Sequence, residues 1–284
     1  MAGTLYLCAT PIGNLQDMTP RVVETLSFVD LIAAEDTRNS IRLLNHFGIK
    51  TPMTSYHEYN KVEKARELVE KLQGGMNLAL ITDAGTPAIS DPGEVLVQMC
   101  QEAAVPVTSL PGPAALIVAL TLSGLPTRRF CFEGFLPSDK KEKKQVLTEL
   151  AEESRTIILY EAPHHLVRTL TELLENLGDR RVTLCRELTK KFETIIPTTL
   201  KGALELYEQE EPRGEYVLVV EGKSLLERRK EAQDSWDEMS IEEHMKLYEQ
   251  QGMDRKDAMK QVAKDRGVGK REIYQYLLEN DGKV

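Results

Sequence analysis

The chain has 284 residues, a length that corresponds to about two domains. Hydrophobic residues make up 41% and charged residues 29%, which predicts a globular protein with a substantial core and excludes a disordered polymer. The 36 basic and 45 acidic side chains give a net charge of −9, so any nucleic-acid partner must be held by local basic patches.

Cysteine usage and the N-terminal sequence indicate the compartment. The four cysteines are far apart and include no CxxC pair, which excludes a zinc ribbon and argues against a disulfide framework. The N-terminus lacks a basic segment followed by a long apolar run, and the chain has no stretch of about 18 uninterrupted apolar residues. We therefore expect a cytoplasmic protein that is neither secreted nor membrane-spanning.

Up to residue 222, short apolar runs alternate with helical patterns. The chain begins with LYLCAT and then PRVVETLSFV, continues with LIAAE and then SIRLLNHF, and follows ARELVEKL with NLALIT. This alternation predicts an α/β fold with a largely parallel sheet. A hinge at 110–115 precedes further strands at RFCFEGF, TIILYE and RVTLCRE. We predict two α/β domains, residues 1–112 and 113–222, with a cleft between them.

The composition changes near Gly222. All 13 prolines lie before residue 213, and none occurs in the rest of the chain. Residues 223–239 are charged and lack a long apolar face, as is typical of a solvated linker or an exposed helix. We predict a domain boundary at this point.

Residues 240–284 show three short helical patterns. The first opens with a capping box formed by Ser240 and Glu243. The others are separated by a Gly-containing turn, and the stretch from Arg255 to Arg271 holds seven basic and two acidic residues. This outline predicts a helix-turn-helix-like domain. The alternative is a helical dimerisation or capping subdomain.

The first two loops of interest follow predicted strands, where ligands of open α/β sheets bind. Loop Thr10–Leu15 has one glycine where a dinucleotide fingerprint needs three, and the chain has no GKS or GKT phosphate cradle. Nicotinamide and nucleoside-triphosphate chemistry are therefore disfavoured, and the loop alone is typical of a turn. Glu35, Asp36 and Arg38 after LIAA have the chemistry to bind ribose hydroxyls or orient a polar substrate, or alternatively to cap the following helix.

Three further segments have features of ligand-binding loops. Residues 83–93 are rich in Gly, Pro, Asp, Ser and Thr and exceed what a strand-to-helix connection needs. The alternative is a compact loop packed on itself. In the second half, 160–165 and 186–193 also follow apolar strands. Their titratable candidates are Glu161, Glu187, Lys190 and Glu193. The chain contains no HExxH and no GxSxG pattern.

Seven blocks together resemble the signature sequences of one family. They are TPIGNL, AAEDTR, DAGTPAISDPG, PGPAA, FEGFLP, YEAPHHL and RELTKKFE, in order between about Leu5 and Gly222. The chain resembles the ribosomal RNA small subunit methyltransferase I family, a branch of the tetrapyrrole methylase superfamily, whose members often carry a helix-turn-helix tail. The resemblance implies two α/β domains, S-adenosylmethionine as donor, a homodimer, and transfer to a cytidine ribose 2′-hydroxyl of 16S ribosomal RNA near the decoding site, within the small ribosomal subunit.

The resemblance also implies which residues hold the donor. In the superfamily these are in the loop after the fourth strand, the Pro-Gly-x-Ala turn and second-domain loops. The matching residues here are Pro11, Asp83, Gly85, Thr86, Ile89, Ala114, Ala115 and Tyr160. Thr86 stands where the pigment-synthesis branch usually has an acidic residue, so no carboxylate contact to the donor is expected at that point. His165 stands where many members of this branch have arginine, which weakens a phosphate contact there or makes it pH-dependent.

Methyl transfer requires the oxygen nucleophile, the methyl carbon and the sulfur to align. A general base or a nearby cation should help, because a protonated ribose hydroxyl is a poor nucleophile. We hypothesise that Lys190, with Glu187 or Glu161, does this work, and that no metal is required. The residues predicted to orient the substrate are Glu35, Asp36 and Arg38.

Basic segments are predicted to hold the RNA, because each phosphate contact adds salt-dependent affinity. One segment follows FLP and consists of Lys140, Lys141, Lys143 and Lys144. Its alternative interpretation is a solvated helix start. The basic residues that flank the RELTK loop are Arg180, Arg181, Arg186, Lys190 and Lys191.

Three other functions stay open on sequence grounds. A methyltransferase for a small tetrapyrrole would share the fold, although TPIGNL and the basic tail argue against it. A non-enzymatic regulator would use the tail to read DNA. A nicotinamide enzyme would use Glu35 after the first loop, but the missing glycines argue against it.

Overall fold

The computed structural model describes residues 1–224, 236 and 239–280. The chain divides into two compact units, unit 1 at Met1–Glu221 and unit 2 at Gly222–Val284. Unit 1 contains two five-stranded sheets with helices on their faces. The α/β class of the prediction is confirmed, whereas the predicted boundaries 1–112 and 113–222 stay a prediction.

The first sheet is built from the N-terminal half of unit 1. Its strands are β1 Leu5–Cys8, β2 Leu31–Ala34, β3 Met53–Ser55, β4 Leu78–Ile81 and β5 Val107–Leu110. The helices of this half are α1 Pro20–Phe28, α2 Thr37–His46, α3 Lys61–Gln73 and α4 Gly93–Glu102. The strand order is β3-β2-β4-β1-β5, and every neighbouring pair is parallel, as predicted.

Strand β4 shows why this sheet is covered on both faces. All four of its residues are buried, which is the continuous apolar pattern of a central parallel strand. Successive side chains of a strand point to opposite faces. Leu78 and Leu80 therefore pack in the core with α3 and α4, and Ala79 and Ile81 pack in the core with α1 and α2.

The second sheet is built from the C-terminal half of unit 1. Its strands are β6 Phe130–Gly134, β7 Thr156–Glu161, β8 Arg181–Arg186, β9 Thr194–Thr199 and β10 Tyr216–Val220. The helices are α5 Ala115–Leu122, α6 Lys140–Glu152, α7 Leu166–Leu177 and α8 Leu200–Tyr207. One face packs against α6, α7 and α8, and the other packs against α5.

The predicted largely parallel arrangement is wrong for this second sheet. In the order β6-β7-β10-β8-β9, β6 and β7 are parallel and the other pairs are antiparallel. The physical reason is connection length, since a parallel crossover needs about a dozen residues or more. Strands β8 and β9 are joined by the shorter segment 187–193, which permits only an antiparallel return.

Unit 2 contains α9 Ile241–Gln250, α10 Arg255–Asp265 and α11 Lys270–Asn280, so the three predicted helices are confirmed. The predicted capping box is also present, because Ser240 Oγ accepts from the Glu243 N–H and the Glu243 carboxylate accepts from the Ser240 N–H, each at 3.1 Å. The predicted linker 223–239 lies mostly outside the described residues. In the described parts of the chain, every helix is too short or too polar to cross a membrane.

Candidate active site

The strand order of the first sheet creates a crevice between β1 and β4. After β1 the chain enters α1, which packs on one face of the sheet, and after β4 it enters α4, which packs on the opposite face. Ligands in open α/β sheets bind at such a switch point, beyond the carboxyl ends of the strands. Thr10 and Gly85 tie these loops together with two backbone hydrogen bonds of 2.9 and 3.0 Å.

Residues 83–93 form a strained loop at this crevice. Gly85 has a φ of +86°, and Ala88 and Ser90 have φ values of +67° and +60° without being glycine. Such non-glycine conformations cost about 1–3 kcal/mol each and are concentrated at functional sites. The Thr86 hydroxyl donates to the Pro113 carbonyl at 2.8 Å. The loop after β4 and the Pro-Gly-Pro turn therefore form one continuous wall.

A cavity of about 260 Å³ lies between this wall and the second sheet. The first half, together with the Pro-Gly-Pro turn and the first residues of α5, contributes Ile12, Ala84, Gly85, Thr86, Ile89, Ala114, Ala115 and Leu116. The second half contributes Phe135, Tyr160, Glu161, Ala162, Cys185, Glu187, Leu188, Lys190, Glu215, Tyr216 and Val217. We call this space the strand-end cavity.

The lining residue Cys185 is not suited to act as a nucleophile, and the described residues form no metal site. Burial raises the pKa of the Cys185 thiol to about 12, so this wall residue is a neutral thiol and a poor nucleophile. Across residues 1–224, 236 and 239–280, no three His, Cys, Asp or Glu side chains are grouped to hold a metal ion.

The antiparallel strand β10 brings additional residues to the strand-end cavity. Tyr216 lies opposite Glu161 at the end of β7 and opposite Arg186 at the end of β8. The beginning of β10 therefore lies beside the carboxyl ends of its two neighbours. As a result Glu215, just before β10, reaches the cavity wall.

An ion cluster occupies the second-half wall of the cavity. Lys190 Nζ donates to Glu187 Oε1 at 2.9 Å and to Glu215 Oε2 at 2.7 Å. Glu187 Oε1 also accepts from the Glu215 backbone N–H at 3.0 Å. Glu187 and Thr189 have positive φ values of 51° and 65°, so this loop stores backbone strain like the loop after β4. Three charges are thus fixed at one edge of the cavity.

The first loop of the chain packs directly against this cluster. A Cβ atom added to Gly13 would lie 2.4 Å from Lys190 Cγ and 2.7 Å from Thr189 Oγ1. No side chain fits at such distances, so glycine is required for the approach. The glycine of TPIGNL therefore allows the first loop to pack closely against the aliphatic stem of Lys190.

The cluster keeps both of its central groups ionised. Burial disfavours the charged form of Lys190, but hydrogen bonds to Glu215 and Glu187 outweigh it and raise the Lys190 pKa. Burial likewise disfavours ionised Glu187, but the Glu215 N–H and Lys190 outweigh it and lower the Glu187 pKa. At neutral pH Lys190 is an ammonium group and Glu187 is a carboxylate.

Glu161 is held differently from Glu187. Its side chain is buried, Oε2 accepts from the Thr169 hydroxyl at 2.5 Å, and Oε1 accepts from the Ala162 N–H at 2.8 Å. Both carboxylate oxygens are therefore engaged by the fold. Glu161 contributes a fixed acceptor group to the wall and is poorly placed to exchange a proton with a ligand.

Six of the eight predicted donor-binding residues line the strand-end cavity. They are Gly85, Thr86, Ile89, Ala114, Ala115 and Tyr160. Tyr160 is fixed by the Leu116 N–H, which donates to its hydroxyl at 3.3 Å, and by ring contacts with Phe132 and Phe135. Pro11 and Asp83 lie outside the lining. The Asp83 carboxylate instead accepts from the Asp36 N–H and the Asn39 amide.

The predicted substrate-orienting residues lie outside the cavity lining. Asp36 caps α2 and pairs with Arg38 at 2.8 Å, and the hydrogen bonds from Arg38 lower the Asp36 pKa to about 2. Glu35 accepts from the Thr82 hydroxyl at 2.9 Å. The helix-cap alternative therefore describes Asp36, and a role in orienting substrate stays a prediction.

Several predicted RNA-binding residues are engaged within the fold. Lys143 pairs with Glu172 at 2.7 Å and its side chain is 12% exposed. Arg180 is buried and donates to the Leu150 and Ala151 carbonyls. Neither is available to phosphate. The lysines of α6 that remain exposed are Lys140, Lys141 and Lys144.

Several residues of the cavity wall were not predicted from the sequence. Phe135 lies in the quoted block FEGFLP, yet no role was predicted for it. Glu215 and Tyr216 precede or open a strand, and strand-end reasoning for a parallel sheet places such residues at the opposite edge. An antiparallel prediction for the last strand would have found them.

Comparisons with known proteins agree with this geometry. The profile of the tetrapyrrole (corrin/porphyrin) methylases matches residues 4–204. A protein of Synechocystis sp. named ribosomal RNA small subunit methyltransferase I is 49% identical over 98% of both chains. The protein of that name from Halalkalibacterium halodurans is 47% identical over 96% of this chain and 93% of its own. A crystal structure of diphthine synthase, at 14% identity, shares the fold with a TM-score of 0.63 over 78% of this chain and 91% of that chain.

Proposed function

Because this chain belongs to the tetrapyrrole methylase family, we propose that it methylates the ribose 2′-hydroxyl of a cytidine in 16S ribosomal RNA, near the decoding site. The chain is a methyltransferase, and its methyl donor is S-adenosylmethionine. The observation that carries the proposed acceptor is the full-length similarity to relatives named for small-subunit ribosomal RNA. We propose the assembled small ribosomal subunit, in the cytoplasm, as the substrate.

The residues of the strand-end cavity fit a donor of this chemistry. S-adenosylmethionine supplies an electrophilic methyl carbon on a sulfonium, together with a nucleoside and an amino acid. Gly85, Ala114 and Ala115 leave room close to the backbone, and the ring of Tyr160 offers an apolar surface. The carboxylates of Glu161 and Glu187 favour a cation such as the sulfonium nearby. Lys190 is the sole basic side chain among the described lining residues, which agrees with a donor that carries no phosphates.

In the proposed reaction the ion cluster accepts the proton of the acceptor hydroxyl and stabilises the negative charge that develops on its oxygen. Glu187 is ionised and accepts the proton of the ribose 2′-hydroxyl at its carboxylate. Lys190 is protonated, which excludes it as the base at neutral pH but suits it to stabilise negative charge that develops on the ribose oxygen. Glu215 holds the ammonium group of Lys190 in position, and Gly13 leaves space for its aliphatic stem. Glu161 keeps the wall in shape through Thr169.

Exposed basic side chains support RNA as the acceptor. In unit 1 they include the three exposed lysines of α6, and each phosphate contact contributes to salt-dependent affinity. In unit 2 the exposed ones on α10 and α11 include Lys256, Lys260, Lys264, Lys270 and Arg271. The Arg266 guanidinium instead donates to His244 Nδ1 within unit 2.

The proposed homodimer is supported by helix α5. Its sequence ALIVALTL is apolar apart from one threonine, yet Ile117 and Leu122 are 45% and 44% exposed. A second copy that covers this face would remove the exposed apolar surface from water. Light scattering at micromolar concentration should give about twice the 32.0 kDa chain mass. A monomer mass would reject the dimer without affecting the proposed reaction.

The proposed function is tested by methyl transfer from tritiated S-adenosylmethionine to unmodified small ribosomal subunits. We expect label that sediments with the subunits and is released by ribonuclease but not by protease. Free 16S ribosomal RNA serves as the comparison and should be labelled more slowly. Donor binding by calorimetry without any label in RNA would overturn the proposed acceptor.

A further inference from the structure

A second cavity of about 660 Å³ opens on the other side of Glu187. It lies between the loop after β8 and the connection from α8 to β10. Glu187 belongs to the walls of both cavities. A molecule held in the second cavity is therefore adjacent to the carboxylate that is proposed to take the acceptor proton.

The second cavity has an exposed aromatic wall. Phe192 is 67% exposed to solvent, and Lys191 Nζ lies 5.6 Å from its ring centroid. Unpaired bases of single-stranded RNA stack on such aromatic rings, because every base has an apolar face. The position of Phe192 next to basic side chains is therefore suited to a nucleobase.

Two arginines give this cavity cationic donors. Arg186 donates one bond, of 3.0 Å, to Thr194 Oγ1, and its buried Nε has no hydrogen-bond partner in the described part of the chain. Its charge also lowers the pKa of Glu187, after the stronger effects of Glu215 and Lys190. Arg213 lies at the exposed rim, and its backbone N–H is fixed by the Tyr216 hydroxyl at 3.3 Å. Guanidinium groups match phosphate oxygens in geometry and charge.

The acidic groups of this cavity indicate which base it accepts. Glu187 is neutralised by Lys190, which leaves Glu210 and Glu211 as exposed carboxylates at the rim. Carboxylates accept from the exocyclic amine of cytosine, whereas the corresponding position of uracil is an acceptor that they repel. The rim chemistry therefore favours cytosine over uracil.

We propose that the second cavity binds the acceptor nucleotide, with its base against Phe192, its phosphate at Arg186 and Arg213, and its amine facing Glu210 and Glu211. This assignment rests on the proposed function and adds the residues that select the acceptor. It places the ribose at Glu187, between the two cavities.

The test compares variants of the second cavity with matched variants elsewhere on unit 1. Phe192→Ala should lower kcat/KM for unmodified small ribosomal subunits about tenfold, as expected for the loss of one stacked base, and Phe192→Tyr should restore it. Arg213→Gln should lower it severalfold and reduce its salt dependence. Tyr59→Ala removes an exposed aromatic ring, and Arg66→Gln removes an exposed arginine of α3, so both should match wild type.

Base selection is tested with subunits that carry uridine in place of the target cytidine. Wild-type enzyme should methylate them at least about tenfold more slowly, and the double variant E210Q/E211Q should narrow that ratio. An unchanged ratio would reject the proposed role of the two glutamates.

The outcomes separate this assignment from the proposed function. One result is that the wild-type enzyme labels RNA while Phe192→Ala and Arg213→Gln have the same kcat/KM as the control variants. That result would overturn the role of the second cavity and leave the proposed function standing. A loss of donor affinity in Phe192→Ala would also overturn it, because the effect would then act on the donor. Absence of RNA labelling by wild-type enzyme that binds donor would overturn the proposed function, and the second cavity with it.

Discussion

The two sides of the strand-end cavity differ in chemical character. The described lining residues between Ile12 and Leu116 are uncharged, and five of the eight are alanine, glycine or threonine. The second half contributes Glu161, Glu187, Lys190 and Glu215. The uncharged side therefore lets a ligand approach the backbone closely, and the charged side supplies acidic and basic groups that can interact with the charges of a ligand.

This difference follows from how each sheet is made. In the parallel first sheet, the loops after β1 and β4 meet at the switch point and are tied by the Thr10–Gly85 bonds. In the mixed second sheet, the beginning of β10 joins the ends of β7 and β8, which brings Glu215 to Lys190. We therefore expect donor binding and turnover to respond to different sets of variants.

The largest effect is expected from Lys190→Met on the charged side. Methionine keeps an aliphatic stem against Gly13 but removes the ammonium group, so kcat should fall about 100- to 1,000-fold, as for the loss of one oxyanion-stabilising donor. The donor Kd, measured by calorimetry, should change less than about twofold. Lys201→Met on α8, where the side chain is 69% exposed, is the matched control. If Lys190→Met lowered donor affinity and turnover equally, the expectation that the two sides of the cavity have different roles would be wrong.

Thr169→Val should distinguish the structural role of Glu161 from the catalytic roles proposed for Glu187 and Lys190. The variant leaves a buried carboxylate oxygen without its hydroxyl donor, which should lower the free energy of unfolding by about 1–3 kcal/mol. Turnover at saturating donor should stay within about threefold of wild type. Thr171→Val removes an exposed hydroxyl on the same helix and should leave the melting temperature nearly unchanged. A large kcat defect with normal stability would instead assign Glu161 to the chemistry.

Gly85→Ala should act on the uncharged side alone. The residue has a φ of +86°, and its added Cβ would lie 3.3 Å from Ile12 Cγ2, so the wall must shift. We expect the donor Kd to rise about tenfold while kcat at saturating donor changes less than about threefold. Gly48→Ala introduces comparable strain at a φ of +69° with no atom within 4 Å. Donor affinity that falls equally in both variants would show a general loss of stability.

The smallest effect at neutral pH is expected from Glu215→Gln. Glu215 is 80% exposed, and with Glu187 it raises the pKa of Lys190. Removing it lowers that pKa, so the protonated Lys190 that catalysis requires is lost at a lower pH. The alkaline limb of the kcat profile should therefore move to lower pH, with little change at pH 7. An unmoved limb would show that Lys190 does not govern the alkaline limb.

Much of the cavity wall lies at or after the ends of predicted strands and could be located from the sequence. Thr86 follows an apolar run of the first sheet. Tyr160, Glu187 and Lys190 lie at or after the ends of apolar runs of the second sheet, and strand ends are where ligands of open α/β sheets bind. Glu215 was missed because its position depends on the direction of β10, which the pattern of a single apolar run does not reveal. Direction is set by pairing between distant segments.

Contacts between residues far apart in the chain explain why Lys143 and Asp83 differ from their predicted roles. Lys143 belongs to an exposed-looking run of lysines, yet Glu172 of the next helix engages it. Asp83 follows β4 as a ligand-binding residue would, yet its carboxylate accepts from the Asp36 N–H across the sheet edge. Partners so far apart in the chain cannot be identified from the local spacing of one sequence.

The proposed ribose methylation is tested most directly by mass spectrometry of nucleosides from small ribosomal subunits treated with the enzyme and S-adenosylmethionine. We expect a methylated cytidine that loses an unmodified cytosine on fragmentation, because the methyl group is on the ribose. A methylated cytosine base, or the absence of any methylated nucleoside despite donor binding, would contradict it.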